Sequence, residues 1–133
     1  MSVIPYLTFR GTCFEAMSFY AKVFDTEIDT IMRAGEMPDY PVPDDKKDLI
    51  AHMNIKFAGG EIYASDAIMG EGSPMAGCSV MVALPEKDAA EAAFNQLADG
   101  GTMTMPFQAM FWAAGFGTLI DRYGIHWMIS TET

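Results

Sequence analysis

Hydrophobic patterning runs twice through the same order, over residues 1 to 66 and again over 77 to 133: a strand, a helix, then three more strands. A unit of one helix and four strands covers one face of its sheet with the helix and leaves the other face bare. Two such units placed side by side form one curved surface, so the repetition predicts an α+β fold. Two paired βαβββ modules make a half-open barrel, with helices on the convex side and a pocket on the concave side. The repeat is one of pattern, not of identical residues.

Within the first module, Val3 to Phe9 reads as a strand ending at Gly11. Thr12 stands three residues before Glu15, the spacing of a capping box, so a helix is expected to open at Cys13. Cys13, Met17, Tyr20 and Phe24 then recur at helical spacing, with Ala16 and Val23 beside them, and give that helix one apolar face. Thr26 to Ala34 reads as a strand, and Gly35 to Lys47, with Pro38, Pro41 and Pro43, as a long surface loop. Asp48 to Phe57 and Glu61 to Ser65 flank Ala58-Gly59-Gly60, where the paired glycines are expected to supply the positive φ of a tight hairpin turn.

Residues 67 to 76, with Gly70, Gly72 and Pro74, read as a connection within a single domain spanning 1 to 133. The second module opens with a strand over Cys78 to Leu84 and a helix over Pro85 to Ala98. Ala90, Ala93, Phe94 and Leu97 line one face of that helix, and Gly100-Gly101 end it. Thr102 to Met105, Phe107 to Trp112, Phe116 to Ile120 and Ile125 to Ser130 are the remaining extended segments, with Asp121 to Gly124 as the last turn.

The chain of 133 residues is half apolar, enough for a core without metal or disulfide staples. Eight Lys and Arg face 18 Asp and Glu, a formal charge of -10 that repels nucleic-acid backbones and anionic lipid, so neither is an expected partner. The first residues lack the pattern of a signal peptide and no apolar run reaches membrane-spanning length, which predicts a cytoplasmic protein. Cys13 and Cys78 are far apart and form no CxxC pair; both are expected to be buried thiols. Ser65, Ser79 and Cys78 have neither a strained elbow nor a local histidine to activate them as nucleophiles. The acidic stretch Asp39 to Asp48 lacks the spacing of a calcium loop and reads as a solvated face.

Several segments resemble the vicinal oxygen chelate superfamily, the glyoxalase/bleomycin-resistance/dioxygenase fold, in its PhnB-like branch. They are Tyr6 to Gly11 leading to Glu15-Ala16 and Phe19-Tyr20, then Ile50-Ala51-His52 with Ser65-Asp66-Ala67. More specific are Phe111 to Gly117 and Asp121 to Ile129, in which Phe-Trp and two glycines stand at a fixed distance from an Asp-x-Tyr-Gly turn. The resemblance covers nearly the whole chain and implies paired βαβββ modules and a homodimer. Classical members hold a divalent metal through four side chains, on the first and last strand of each module. By frame those places fall on Pro5, Tyr63, Cys78 and Met128, none of which offers the imidazole or carboxylate that such a metal needs.

A cofactor-free protein that binds a small molecule without metal is therefore the preferred expectation. A ubiquinone-pathway methyltransferase activity, which has been attached to this branch, is not expected, because Gly59-Gly60 joins two antiparallel strands where a cofactor loop needs a parallel strand and a helix. Two alternatives are a lyase, isomerase or dioxygenase-like enzyme with a relocated site at His52, Glu61, Tyr63 and His126, and a structural or interaction domain.

Strand alternation sets His52, Asn54 and Lys56 on one face, with Glu61, Tyr63 and Ser65 opposite them across the hairpin. Since Tyr63 holds a metal-equivalent place, that face is expected to be the concave one. His126 lies two residues before Met128 and is expected to face inward as well, so that both histidines line one cavity. With Glu61 they can be read as acid and base or as ligands of a displaced metal; the preferred reading is a pair of histidines hydrogen-bonded inside a wet cavity or lying at its rim. Phe111, Trp112, Phe116 and Trp127 suit either an aromatic wall for a flat ligand or ordinary core packing. The twelve methionines favour adaptable packing.

Overall fold

The structure is a computed structural model, and it describes residues 1–132. The chain divides into two compact units, Met1–Ser73 and Pro74–Thr133. In the first, β1 (Tyr6–Phe9), α1 (Cys13–Val23), β2 (Ile28–Arg33), β3 (Ile50–Phe57) and β4 (Gly60–Asp66) form a sheet of order β1-β4-β3-β2. In the second, β5 (Val80–Leu84), α2 (Lys87–Ala98), β6 (Thr102–Met110), β7 (Ala113–Ile120) and β8 (His126–Thr131) repeat that order as β5-β8-β7-β6. In each module the first and last strands pair in parallel and the other pairs are antiparallel. The fold class is therefore α+β, with two βαβββ modules.

Both helices lie where their apolar faces predict. Cys13, Ala16, Met17, Tyr20 and Ala21 are buried on α1, which packs on β3 and β4. Against them lie the alternate strand residues Leu7, Phe9, Met53, Ile55, Ile62 and Ala64, all buried. Ala90, Ala93, Phe94 and Leu97 do the same for α2, over Val80, Val82, Leu119, Trp127 and Ile129. Two glycines of β7 make room for neighbouring rings, one from α2 and one from β6. A Cβ on Gly117 would sit 2.8 Å from the Phe94 ring, and one on Gly115 would overlap the Phe107 ring.

The start of α1 corrects the expected capping box. Thr12 occupies the N-cap position but its side chain makes no capping hydrogen bond. The buried carboxylate of Asp66, at the end of β4, does that work from the other end of the module. Its Oδ1 accepts the N–H of Gly11 at 2.8 Å and of Cys13 at 3.0 Å, and its Oδ2 accepts that of Ile50 at 2.9 Å. One side chain thus joins the ends of β1, β4, β3 and the helix, and supplies negative charge at a helix N-terminus.

Other boundaries also shift. The β3–β4 turn is made by Ala58 and Gly59, with φ of 50° and 75°, and Phe57 pairs with Gly60; the positive φ falls one residue earlier than the paired glycines suggest. Thr102 to Met105 and Phe107 to Met110 merge into the single edge strand β6, with Phe111 and Trp112 in the turn beyond it, and Pro106 lies within the register shift between Met105 and Gln108. An edge tolerates a residue that cannot donate to the ladder. The expected loop after β2 is stitched rather than loose: Ala34 and Gly35 donate to the carbonyls of Leu49 and Lys47, and the Arg33 guanidinium donates to that of Asp48 at 2.8 Å. Cys78 precedes β5 and is exposed, against the expectation of a buried thiol, whereas Cys13 is fully buried.

Candidate functional site

The face of the first sheet opposite α1 is built by period-two alternation. Because Leu7, Met53, Ile55, Ile62 and Ala64 point to the helix, Tyr6, His52, Asn54, Glu61, Tyr63 and Ser65 point away from it. Register brings them together: Tyr6 is opposite Tyr63, Thr8 opposite Ser65, Asn54 opposite both Thr30 and Tyr63, and Lys56 opposite Glu61. The His52 and Tyr63 rings meet edge to face at 4.8 Å, and Tyr6 lies 6.1 Å from the first and 6.4 Å from the second.

Asn54 is the polar centre of this face. Its Nδ2 donates to Glu61 Oε1 at 2.5 Å and to Asp29 Oδ2 at 3.1 Å, so both amide protons go to carboxylates. The carbonyl arm of the same amide, Oδ1, is buried and has no hydrogen-bond partner. Lys56 Nζ approaches the same Asp29 oxygen, Oδ2, at 3.6 Å. Two open hollows reach the network, one of about 680 Å³ lined by Ile4, Lys56, Gly60 and Glu61, the other of about 580 Å³ lined by Asp25, Asp29 and Lys56.

In the second module the aromatic candidates separate. Phe111 and Trp112 form the β6–β7 turn, Phe111 almost fully exposed at 97%, and Trp112 contacts both the Phe111 ring at 4.7 Å and the Phe116 ring at 5.6 Å. Trp127 is not part of that row. It is fully buried on the α2 side and its Nε1 donates to Asp121 Oδ2 at 2.8 Å, so it is a core residue rather than part of an aromatic wall. The alternation that turns His126 and Met128 to one face necessarily turns Trp127 to the other. His126 is half-buried at the start of β8, and its backbone N–H points to Met75 Sδ at 3.2 Å.

Of the metal-equivalent places assigned by frame, Pro5 and Cys78 both precede their strands, Tyr63 lies in β4 with its N–H donated to the Pro5 carbonyl at 3.0 Å, and Met128 lies in β8. Neither these four residues nor their ladder neighbours Tyr6 and Met81 form a donor set for a hard divalent ion. Among the described residues, no group of three or more His, Cys, Asp and Glu side chains is arranged to hold a metal ion. The residues present do not fit the superfamily's metal. Cys13 is no nucleophile either, since burial first, and the Asp66 charge second, push its thiol up to about 12.

Sequence and structure comparisons agree with this architecture. A family model described as 3-demethylubiquinone-9 3-methyltransferase matches residues 1–130. The protein YjdN of Escherichia coli K12 is 31% identical over 98% of this chain and 95% of its own. The crystal structure of PA1353 from Pseudomonas aeruginosa superposes with a TM-score of 0.87 at 36% identity, covering 99% of this chain and 98% of the other. A Bacillus cereus protein described as a putative 3-demethylubiquinone-9 3-methyltransferase, PhnB protein, gives 0.82 at 26% identity over 98% and 99%. The fold alone is shared with a glyoxylase/bleomycin resistance protein/dioxygenase domain from Frankia, at a TM-score of 0.70 and 14% identity over 98% and 96%. The chain belongs to the PhnB-like family described as 3-demethylubiquinone-9 3-methyltransferase, and its fold is that of the glyoxalase/bleomycin-resistance/dioxygenase domain.

Proposed function

We propose that the protein binds a small organic molecule on the open face of its first sheet and does so without a metal ion. The observation that carries this reading is a scaffold of the family in which the metal-equivalent places fall on Pro5, Tyr63, Cys78 and Met128, none of them an imidazole or a carboxylate. Aromatic rings and a few fixed polar groups suit recognition of an organic ligand, whereas a hard cation requires carboxylates or imidazoles at those places. His52, Asn54, Glu61 and Ser65 supply the polar groups of this face. The ring row of Phe111, Trp112 and Phe116 is a second candidate surface.

Methyl transfer is disfavoured on separate grounds. A nucleotide-type cofactor needs unspent N–H groups at a glycine-containing turn into a helix. The β1–α1 turn has the glycine, but the N–H groups of Gly11 and Cys13 are already held by Asp66. Between β5 and α2 the chain reads Pro85-Glu86, with no glycine and an added negative charge.

In this reading the protein works in the cytoplasm as a homodimer, and light scattering on purified protein measures the assembly. The binding claim is tested by elemental analysis of protein purified without added metal, together with thermal unfolding with and without EDTA. Substoichiometric metal and an unchanged Tm are expected; near-equimolar metal whose removal lowers the Tm overturns the reading. Among the described residues, no helix is long and apolar enough to cross a membrane.

A further inference from the structure

Buried polar atoms in folded proteins are almost always hydrogen-bonded, and leaving an acceptor unmade costs about 1–3 kcal/mol. Asn54 Oδ1 is such an acceptor, on a side chain only 5% exposed. Rotating the amide does not remove the problem, because it would turn the carbonyl oxygen toward the carboxylates that now hold Nδ2, oxygen against oxygen. The site is thus short of a hydrogen-bond donor, and every charged group directly on Asn54 is an anion. Lys56 already brings one ammonium to the rim of that site, 3.6 Å from Asp29, on a side chain 64% exposed.

We infer that the ligand of this face is an organic ammonium compound whose N–H donates to Asn54 Oδ1. Its charge lies against Glu61 and Asp29, and its apolar part against Tyr63, Tyr6 and His52. The inference rests on the binding-site reading above and names the chemical class that the site takes. Glu61, half-buried and bonded to the Nδ2 arm of the amide, borders the hollow beside Gly60 and offers its carboxylate to the ammonium there. The tyrosine rings add the attraction of an aromatic face for a cation. An anionic ligand would meet two carboxylates and an unpartnered carbonyl oxygen, all repulsive.

Four probes of similar shape separate the contributions, measured by calorimetry on the full chain at neutral pH: 2-phenylethylamine, its N,N,N-trimethyl analogue, 2-phenylethanol and 3-phenylpropionate. The primary amine is expected to bind at least tenfold more tightly than the trimethyl analogue, which keeps the charge and loses every N–H donor. The carboxylate is expected to bind more weakly still. Lys56→Met, an exposed change that leaves the core intact, is expected to tighten amine binding several-fold by freeing Asp29, and Glu61→Gln to weaken it about tenfold.

Carboxylate binding equal to or stronger than amine binding overturns the inference while leaving the metal-free binding reading in place. So does amine binding that responds to Trp112→Ala but to neither Lys56→Met nor Glu61→Gln. Absence of saturable binding by all four probes also overturns it. The binding reading itself stands or falls separately, on the metal analysis.

Discussion

Replacing Asp66 by alanine is expected to be among the most damaging single changes in the first module. The carboxylate is 5% exposed and accepts three backbone N–H groups, from Gly11, Cys13 and Ile50, at 2.8 to 3.0 Å. A hydrogen bond to a charged group contributes about 1.5–3 kcal/mol, and loss of a helix cap alone about 1 kcal/mol. Three such bonds sharing one acceptor do not add, so Asp66→Ala is expected to lose about 3–5 kcal/mol, against about 5–15 kcal/mol for the whole stability of an ordinary domain. Asp66→Asn keeps an oxygen for Gly11 and Cys13 but turns an NH₂ toward the Ile50 N–H, and should lose about 2 kcal/mol. Urea unfolding followed by far-UV circular dichroism gives the two losses. Hydrogen exchange should show the amides of residues 11, 13 and 50 losing protection first. A loss under about 1 kcal/mol for the alanine variant, or unchanged exchange at those amides, would refute the view that Asp66 joins these ends.

Three further outcomes are expected. With a thiol reagent at neutral pH, Cys78 should react at once and Cys13 only after unfolding; because the Cys13 thiol is raised from 9.0 to about 12 in the folded state, its contribution to stability is complete below pH 9 and is lost as the pH rises through about 12, which unfolding at pH 8 to 11 in native and Cys13→Ser protein will measure. Gly117→Ala drives a methyl group into the Phe94 ring and the Phe107 backbone and should destabilise by about 1–3 kcal/mol in urea titration, whereas an equal or higher midpoint would show that the contact yields. Ala58→Asn places a residue that tolerates positive φ at the turn and should raise stability by about 0.5–1 kcal/mol, read as a higher Tm.

The sequence carried the two-module order, the apolar faces of both helices and the shared face of His52, Asn54, Glu61, Tyr63 and Ser65, because these depend on local periodicity. It did not carry contacts made across the module. Thr12 and Glu15 have the spacing of a capping box, yet an aspartate 54 residues after Thr12 fills that place, and nothing near Thr12 announces it. Trp127 was within reach, since alternation from Met128 already sends it to the helix side; chemical likeness to the other aromatics obscured that. Pro106 suggests a break that an edge strand absorbs. The orphan on Asn54 had no sequence signal, because it depends on which arm of one amide Asp29 and Glu61 occupy.

The parallel pairing of first and last strands has a consequence during synthesis. As the chain leaves the ribosome, β1 has no sheet partner until β4 follows it, and Asp66, which fastens the start of α1, comes at the very end of the first module. A nascent chain halted at the β3–β4 turn would leave the apolar side of α1 uncovered by β4 and its first turn unfastened. Each module should therefore become protease-resistant in one late step, and the interval before that step is when the chain most needs protection from aggregation.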